Sequence, residues 1–421
     1  MLTTSPRVIA ATSLAAALLT AACAPAAAPA STPPHASIAT DWIGLVDDLT
    51  EHQQLSPTAA ARVFAWTAVA LHDTEAALTG RTTIAPDPQL SRAAVDAAAI
   101  DRSAAATAAA AQMTSYLFPS NHSQEQIAAL AHDQFTAVNA HAADADIGRQ
   151  LGRHVVERAR RDGYHRIGTW ADWSPPNSEH AWRPTAPSYD RPTEPFWGNL
   201  VPISISRTAC TVAPPLAHDL DPRAELATQA HEVLSLAGSA TDDQKEAARF
   251  WDDAPEVSAG PAGHWLAIAT AVAADDQLDY ATATRLYAAA ATALHDATIL
   301  TWEAKYDHLI ARPLDYITAH IDDTFTTYIP SPPFPEHPSG HASQSAAAAT
   351  VLTALAGDRP FTDTVNDMTR SYDTFTDAAD EAAMSRIWAG IHYRHAADAG
   401  SDLGRCVAGQ ILDRLHGNAA P

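Results

Sequence analysis

The sequence predicts an all-α protein, and three observations carry that expectation. Ala, the strongest helix former, is abundant, while Gly numbers only 17 of 421 residues. Strand-length alternation of Val, Ile and Thr is scarce. Helix-start signals recur: Ser56 with Pro57 behind it, and Thr241 with Gln244 three residues on, which spells a capping box.

Taken in order, the chain begins with Arg7 and the apolar run "VIAATSLAAALLTAAC", a pattern of export signals and too short to span a bilayer comfortably. Cys23 stands where a lipoprotein signal places its acylated cysteine, although Thr20 replaces the usual Leu. Ordinary cleavage after Ala24 or Ala26 is the other reading, and both put the mature protein outside the cytoplasm, secreted or lipid-anchored. Residues 24–40 read as a flexible Ala/Pro linker. Residues 41–421 read as the helical domain. Its expected helices begin with "SPTAAARVFAWTAVALHDTEAAL", continue near 92–117, 123–142 and 146–162, and stop at a long Pro- and Trp-rich loop over 164–215. Further helices are expected over 222–236, after Thr241, and over 262–275, 278–306, 313–322, 339–356, 377–389 and 397–415. The arrangement suggests two helical bundles joined by the loop.

The net charge of −23 excludes a nucleic-acid partner, because a phosphate backbone needs a basic face. No HExxH, paired CxxC or Gly-rich nucleotide loop is present, which leaves zinc and nucleotide chemistry without support. Beyond Cys23 there remain Cys210 and Cys406, either a disulfide in an oxidising compartment or two buried thiols. Acidic pairs such as Asp252–Asp253 and Asp322–Asp323 read as solvated faces.

Chemistry concentrates in three segments after residue 300: "KYDHLIARP", from Lys305 to Arg312 and Pro313; "PSGH", from Pro338 to His341; and "SRIWAGIH", with Arg386 and His392. Two guanidinium groups and an ammonium offer many donors and no acceptor, and Arg forks match oxyanions. Pro338 suits a first helical position, which would leave the amides of Ser339 and Gly340 free at a helix N-terminus, an anion site. Gly340 lets the backbone approach closely. Two histidines then flank the anion, one as nucleophile or ligand and one as acid–base group. Each segment alone is common in loops or on solvated helix faces; the ordered set is what carries weight.

That set resembles the vanadium-dependent haloperoxidase and type 2 phosphatidic acid phosphatase superfamily, whose pattern is Lys-x6-Arg-Pro, Pro-Ser-Gly-His and Ser-Arg-x5-His-x3-Asp. "ARVFAWTAVALHD", "WRPTAP…PFWG", "DDQKEAARFWDD", "GHWLAIA" and "TWEAKY" are similar to the secreted bacterial haloperoxidase-like branch, so the resemblance spans most of the mature chain, with the active-site half at about 220–421. It implies vanadate as cofactor, with hydrogen peroxide, a halide and a small organic acceptor as partners. A phosphatase of the same superfamily, working through a phosphohistidine, is the alternative. Lys305, Arg312 and Arg386 would neutralise the equatorial oxygens of vanadate or phosphate, helped by Ser339 and the Gly340 amide. His392 would be the axial ligand or the nucleophile, and His341 the acid–base group. Trp302 and Phe334 match pocket aromatics of the family. Asp253 matches a carboxylate that pairs with an active-site arginine. His337 and His395 stand near the site, with a plain surface role expected for each.

The family places Asp four residues after the histidine of the third block; here that residue is Ala396. If the segment were helical, that position would share the face of His392, and Asp398 would not. Either another carboxylate orients the imidazole, or the ligand is weaker.

Overall fold

The end signals read from the sequence place the helices. The computed structural model describes residues 34–85, 100–176, 178, 181–185, 189–255 and 257–417. Within them run α1 (Pro34–His52), α2 (Pro57–Thr79), α3 (Arg102–Leu117), α4 (Asn121–Ala137), α5 (Ala142–Ala159), α6 (Glu225–Gly238), α7 (Asp242–Phe250), α8 (Gly260–Asp275), α9 (Tyr280–His308), α10 (Pro313–His320), α11 (Gly340–Ala356), α12 (Phe375–Trp388) and α13 (Arg394–Leu415). Ser56 caps α2 by accepting from the Ala59 amide, and Thr241 and Gln244 form the reciprocal capping box of α7. The Pro/Trp segment is a loop with three short 3₁₀ turns, at Tyr164–Arg166, Trp170–Asp172 and Trp197–Asn199.

The 29-residue α9 runs through the middle, buried along nearly its whole length. Runs of Ala on α2, α3, α9 and α11 let neighbouring backbones approach, and one hydrophobic core joins α1, α2, α3, α8, α9, α11 and α13. A smaller core lies among α6, α10, α12 and the start of α13. Close packing is most exacting between α11 and α13. A Cβ on Gly400 or Gly404 would run into the backbone of Ser339 or Ser343, so these two glycines set how α13 crosses the start of α11.

Three expectations are corrected. The helical domain begins at Pro34 rather than 41, because Ile38, Ala39 and Trp42 already face the core. Residues Pro34–Pro421 form one compact unit, and the long α9 contributes to its main core. A hairpin that the sequence did not suggest pairs β1 (Phe361–Val365) with β2 (Met368–Tyr372). Its two turn residues, Asn366 and Asp367, both have positive φ, the geometry of a tight hairpin. Several helix ends differ by a few residues; α5, for example, spans 142–159 rather than 146–162. Cys23, the expected signal segment and residues 92–99 lie outside the described residues. Cys210 and Cys406 form a disulfide that ties the loop to α13 across a sequence separation of 196. Among the described residues no helix is long and apolar enough to cross a membrane.

Candidate active site

Four helix ends meet at the site. Trp302 and Lys305 sit on the last turns of α9, which stops at Leu309 in the left-handed conformation. Arg312 is the N-cap of α10, with Pro313 at the first helical position. The loop 330–338 then crosses to α11, whose N-cap is Ser339 and whose first residue is Gly340. Arg386 lies in the last turn of α12, and His392 in the short link before α13.

Hydrogen bonds tie these pieces together. Lys305 Nζ donates to the carbonyls of Pro335 (2.7 Å) and Glu336 (3.0 Å), which leaves one of its three protons uncommitted. Arg312 donates Nε–H to Phe334 O (3.0 Å) and Nη1–H to Ile391 O (2.9 Å) and to His392 Nε2 (2.9 Å). Arg386 Nη1 donates to Trp251 O at 2.7 Å. Arg312 Nη2 and Arg386 Nε are buried with no hydrogen-bond partner. The ring of Phe334 lies 5.0 Å from Lys305 Nζ and 4.9 Å from the Arg312 guanidinium carbon, and Trp302 packs on Phe334. Both aromatics therefore pack beside the cationic groups.

The helix-start expectation is half right. Pro338, after a cis His337–Pro338 bond, precedes the N-cap rather than opening the helix, and the Ser339 amide donates to Ala396 O at 2.9 Å. The Gly340 amide stands at the first helical position, among the donors a helix leaves unpaired.

The two histidines have different neighbours. His392 donates Nδ1–H to Glu336 Oε1 at 2.9 Å, and its Nε2 lone pair accepts from Arg312. Burial, then Arg312, Lys305, Arg386 and His341, push its pKa well below the usual imidazole value, so it stays neutral. His341 is the most open of the chemical groups, with a side chain 14% exposed; its Nε2 stands 3.5 Å from Asp253 Oδ2. Burial and then Arg386 lower it to about 4, against the pull of Asp253. Asp253 Oδ1 also accepts from His264 Nδ1 (2.9 Å), and His264 Nε2 donates to Asp363 (2.8 Å), which the hairpin delivers. Burial alone would depress His264, but its two carboxylate partners raise it to about 10. Burial would raise the Asp253 carboxyl; His264 and then His341 outweigh that and hold it below the ordinary value.

The cations repel one another. Burial and the Arg312 charge push Lys305 well below its usual pKa, and burial lowers Arg312 to about 9 and depresses Arg386. An anion placed among them would relieve that repulsion. A bare metal cation would not be served: among the described residues no cluster of three His, Cys, Asp or Glu could hold one. The donor set fits a small oxyanion, and the unpartnered Arg312 Nη2 and Arg386 Nε supply bonds for it. A separate cavity of about 490 Å³, lined by His72, Glu75, Arg81 and Arg285, lies at the opposite end of α9, roughly 35 Å from Lys305 at ~1.5 Å per helical residue.

Lys305, Arg312, Arg386, His341 and His392 are thus brought together, with Ser339 and Gly340 at the start of α11 and Asp253 behind His341. Asp253 is buried rather than on a solvated face, and it holds φ at 49°, a left-handed conformation that Asp tolerates better than most residues. His337 does not take the surface role expected. His337 is buried and donates to Ala213 O; His395, half-buried at the surface, stacks on it at 5.4 Å and donates to Pro214 O, so the pair pins the loop. Sequence reading missed Glu336, His264 and Asp363. Glu336 had one visible cue, an acid inside a Pro- and Phe-lined segment.

Residues 285–419 match the family described as the VCPO second helical-bundle domain. Among solved structures, a bacterial vanadium-dependent iodoperoxidase is 30% identical, with TM-score 0.78, and the alignment covers 90% of this chain and 96% of that one. Holo and apo structures of a bacterial vanadium-dependent chloroperoxidase share the fold at 16% and 15% identity. Their TM-scores are 0.67 and 0.66; the alignments cover 87% and 86% of this chain, and 93% and 95% of theirs. No curated protein matches the chain.

Proposed function

The chain belongs to the family of bacterial vanadium-dependent haloperoxidases, and we propose that it uses vanadate to oxidise a halide with hydrogen peroxide, the oxidised halide then passing to an organic acceptor. One observation supports this most directly: three distant segments converge on one buried cationic cage with unpartnered donors, beside a neutral histidine whose Nε2 lone pair faces a cationic partner.

Lys305, Arg312 and Arg386 would hold the oxygens of vanadate, with the Ser339 hydroxyl and Gly340 amide completing the set. Such preplaced charges cost no reorganisation when negative charge develops. His392 would ligate through Nε2, because Nδ1 is committed to Glu336. The bound group supplies a Lewis acid that activates peroxide. His341, the most solvent-accessible member, would accept and return the peroxide proton, with the Asp253 carboxylate 3.5 Å from its Nε2. Lys305, placed by two carbonyls, would donate its remaining proton as a hydrogen bond to peroxide oxygen. Phe334 and Trp302 exclude water from the cage.

An exported placement, secreted or lipid-anchored through Cys23, belongs to the same reading. It is supported by the apolar run behind Arg7 and by the Cys210–Cys406 bridge, since disulfides persist in oxidising compartments.

The test is a pair of assays on purified protein. Oxidation of iodide and bromide by peroxide is followed with and without orthovanadate, and phosphate release from a monoester is followed beside it. Halide oxidation that depends on added vanadate is expected. Oxidation indifferent to vanadate and to its removal, or phosphate release alone, would overturn the assignment.

A further inference from the structure

We propose that Glu336 is the positioning residue that fixes His392 as a ligand, taking the place of the carboxylate that the chain lacks at Ala396. The inference rests on the vanadate reading of the cage and adds to it a residue outside the three sequence blocks' known pattern.

The geometry carries it. Glu336 Oε1 accepts from His392 Nδ1 and from the next amide, Tyr393 N, both at 2.9 Å. That double acceptance fixes the ring and the backbone that bears it. The accepted Nδ1–H sets the tautomer, so the ring's lone pair lies on Nε2, facing Arg312. Glu336 is itself held at both ends: its amide donates to Ile310 O (3.0 Å) and its carbonyl accepts from Lys305 Nζ. One residue therefore positions groups from two separate blocks.

His392 is not on a helix, since α12 ends at Trp388 and α13 begins at Arg394. The expected i+4 relation between His392 and Ala396 does not arise. Ala396 is nevertheless close, lining the same small gap as Glu336, Tyr393 and His337. Its methyl leaves that gap to a single carboxylate. Asp at 396 beside Glu336 would crowd two like charges in a buried space. Ala396 and Glu336 together leave one carboxylate beside His392.

The experiment uses full-length Glu336→Ala, Glu336→Gln and the double variant Glu336→Ala/Ala396→Asp. Two quantities are read: vanadate Kd by calorimetry, and the His392 tautomer by ¹⁵N-histidine NMR without vanadate. Glu336→Ala is expected to raise Kd about 10–100-fold, the range for outer partners of a ligating histidine, and to mix the two tautomers. Glu336→Gln, nearly isosteric, keeps an acceptor but no charge and falls between; it carries the test if the alanine variant does not fold. The double variant regains part of the affinity and the Nδ1–H tautomer. Folded Gln and Ala variants with wild-type Kd and an unmixed tautomer would overturn the proposal. A wild-type protein that binds no vanadate would instead defeat the functional reading, and the tautomer spectra would still decide the role of Glu336.

Discussion

Each histidine of the site leans on one buried carboxylate, yet the two pairs are built differently. Behind His392 stands Glu336, whose Oε1 accepts from the imidazole and from a backbone amide. Behind His341 stands Asp253, the middle of a chain that runs through His264 to Asp363 on the hairpin, with His264 stacked on Trp251 at 4.4 Å. The first arrangement holds a neutral ring with its lone pair inward. The second keeps a carboxylate ionised deep in the protein, because a cationic imidazole lies beside it. The ligand side needs a fixed tautomer, while the acid–base side needs a fixed charge.

Breaking the comparison at its centre should give the largest effect. His392→Ala is expected to weaken vanadate binding by more than about 100-fold, beyond the range for outer partners. His341→Ala should leave affinity within about tenfold and slow turnover about 10²–10⁴-fold, as for loss of an acid–base group. Equal losses of affinity in both, read by calorimetry beside steady-state rates, would erase the division of labour.

Next in size is Asp253→Ala, which leaves His264 without one partner and is expected to cost about 3–5 kcal/mol in chemical denaturation. A cost under ~1 kcal/mol would make the chain through His264 incidental. The pH dependence sharpens the same point. His264 is raised from 6.5 to about 10 in the folded protein, so its contribution is complete below about pH 6.5 and fades as pH rises through about 10. Unfolding free energy should decline across that window in the wild type, and the decline should flatten in His264→Gln. The smallest effect is assigned to Trp302→Phe, which loses the Nε1–H bond to Thr193 O (3.1 Å) and should cost about 1 kcal/mol with vanadate affinity little changed.

Much of this was legible from the residues in order. Ser56 and Pro57, or Thr241 and Gln244, act over three or four residues, so their helices could be placed without the rest of the fold. The Lys305–Arg312, Ser339–His341 and Arg386–His392 blocks each carry local chemistry, and so the cationic donor set could be read before its geometry was known. The hairpin escaped because its strands are five residues long, and only the Asn366–Asp367 turn marked it.

What tertiary structure alone decided are the long-range polar pairings. Glu336 and His392 are 56 residues apart, His264 and Asp363 are 99, and Cys210 and Cys406 are 196. A helix cap or a run of alanines expresses a short-range preference that the chain carries with it. A buried carboxylate takes its meaning from whichever donor the packed core brings within hydrogen-bond reach, and nothing in its sequence neighbours encodes that partner. For Ala396 and Glu336 the requirement was local in chemistry and non-local in chain: one acceptor for one imidazole proton, supplied by the segment that folding placed there.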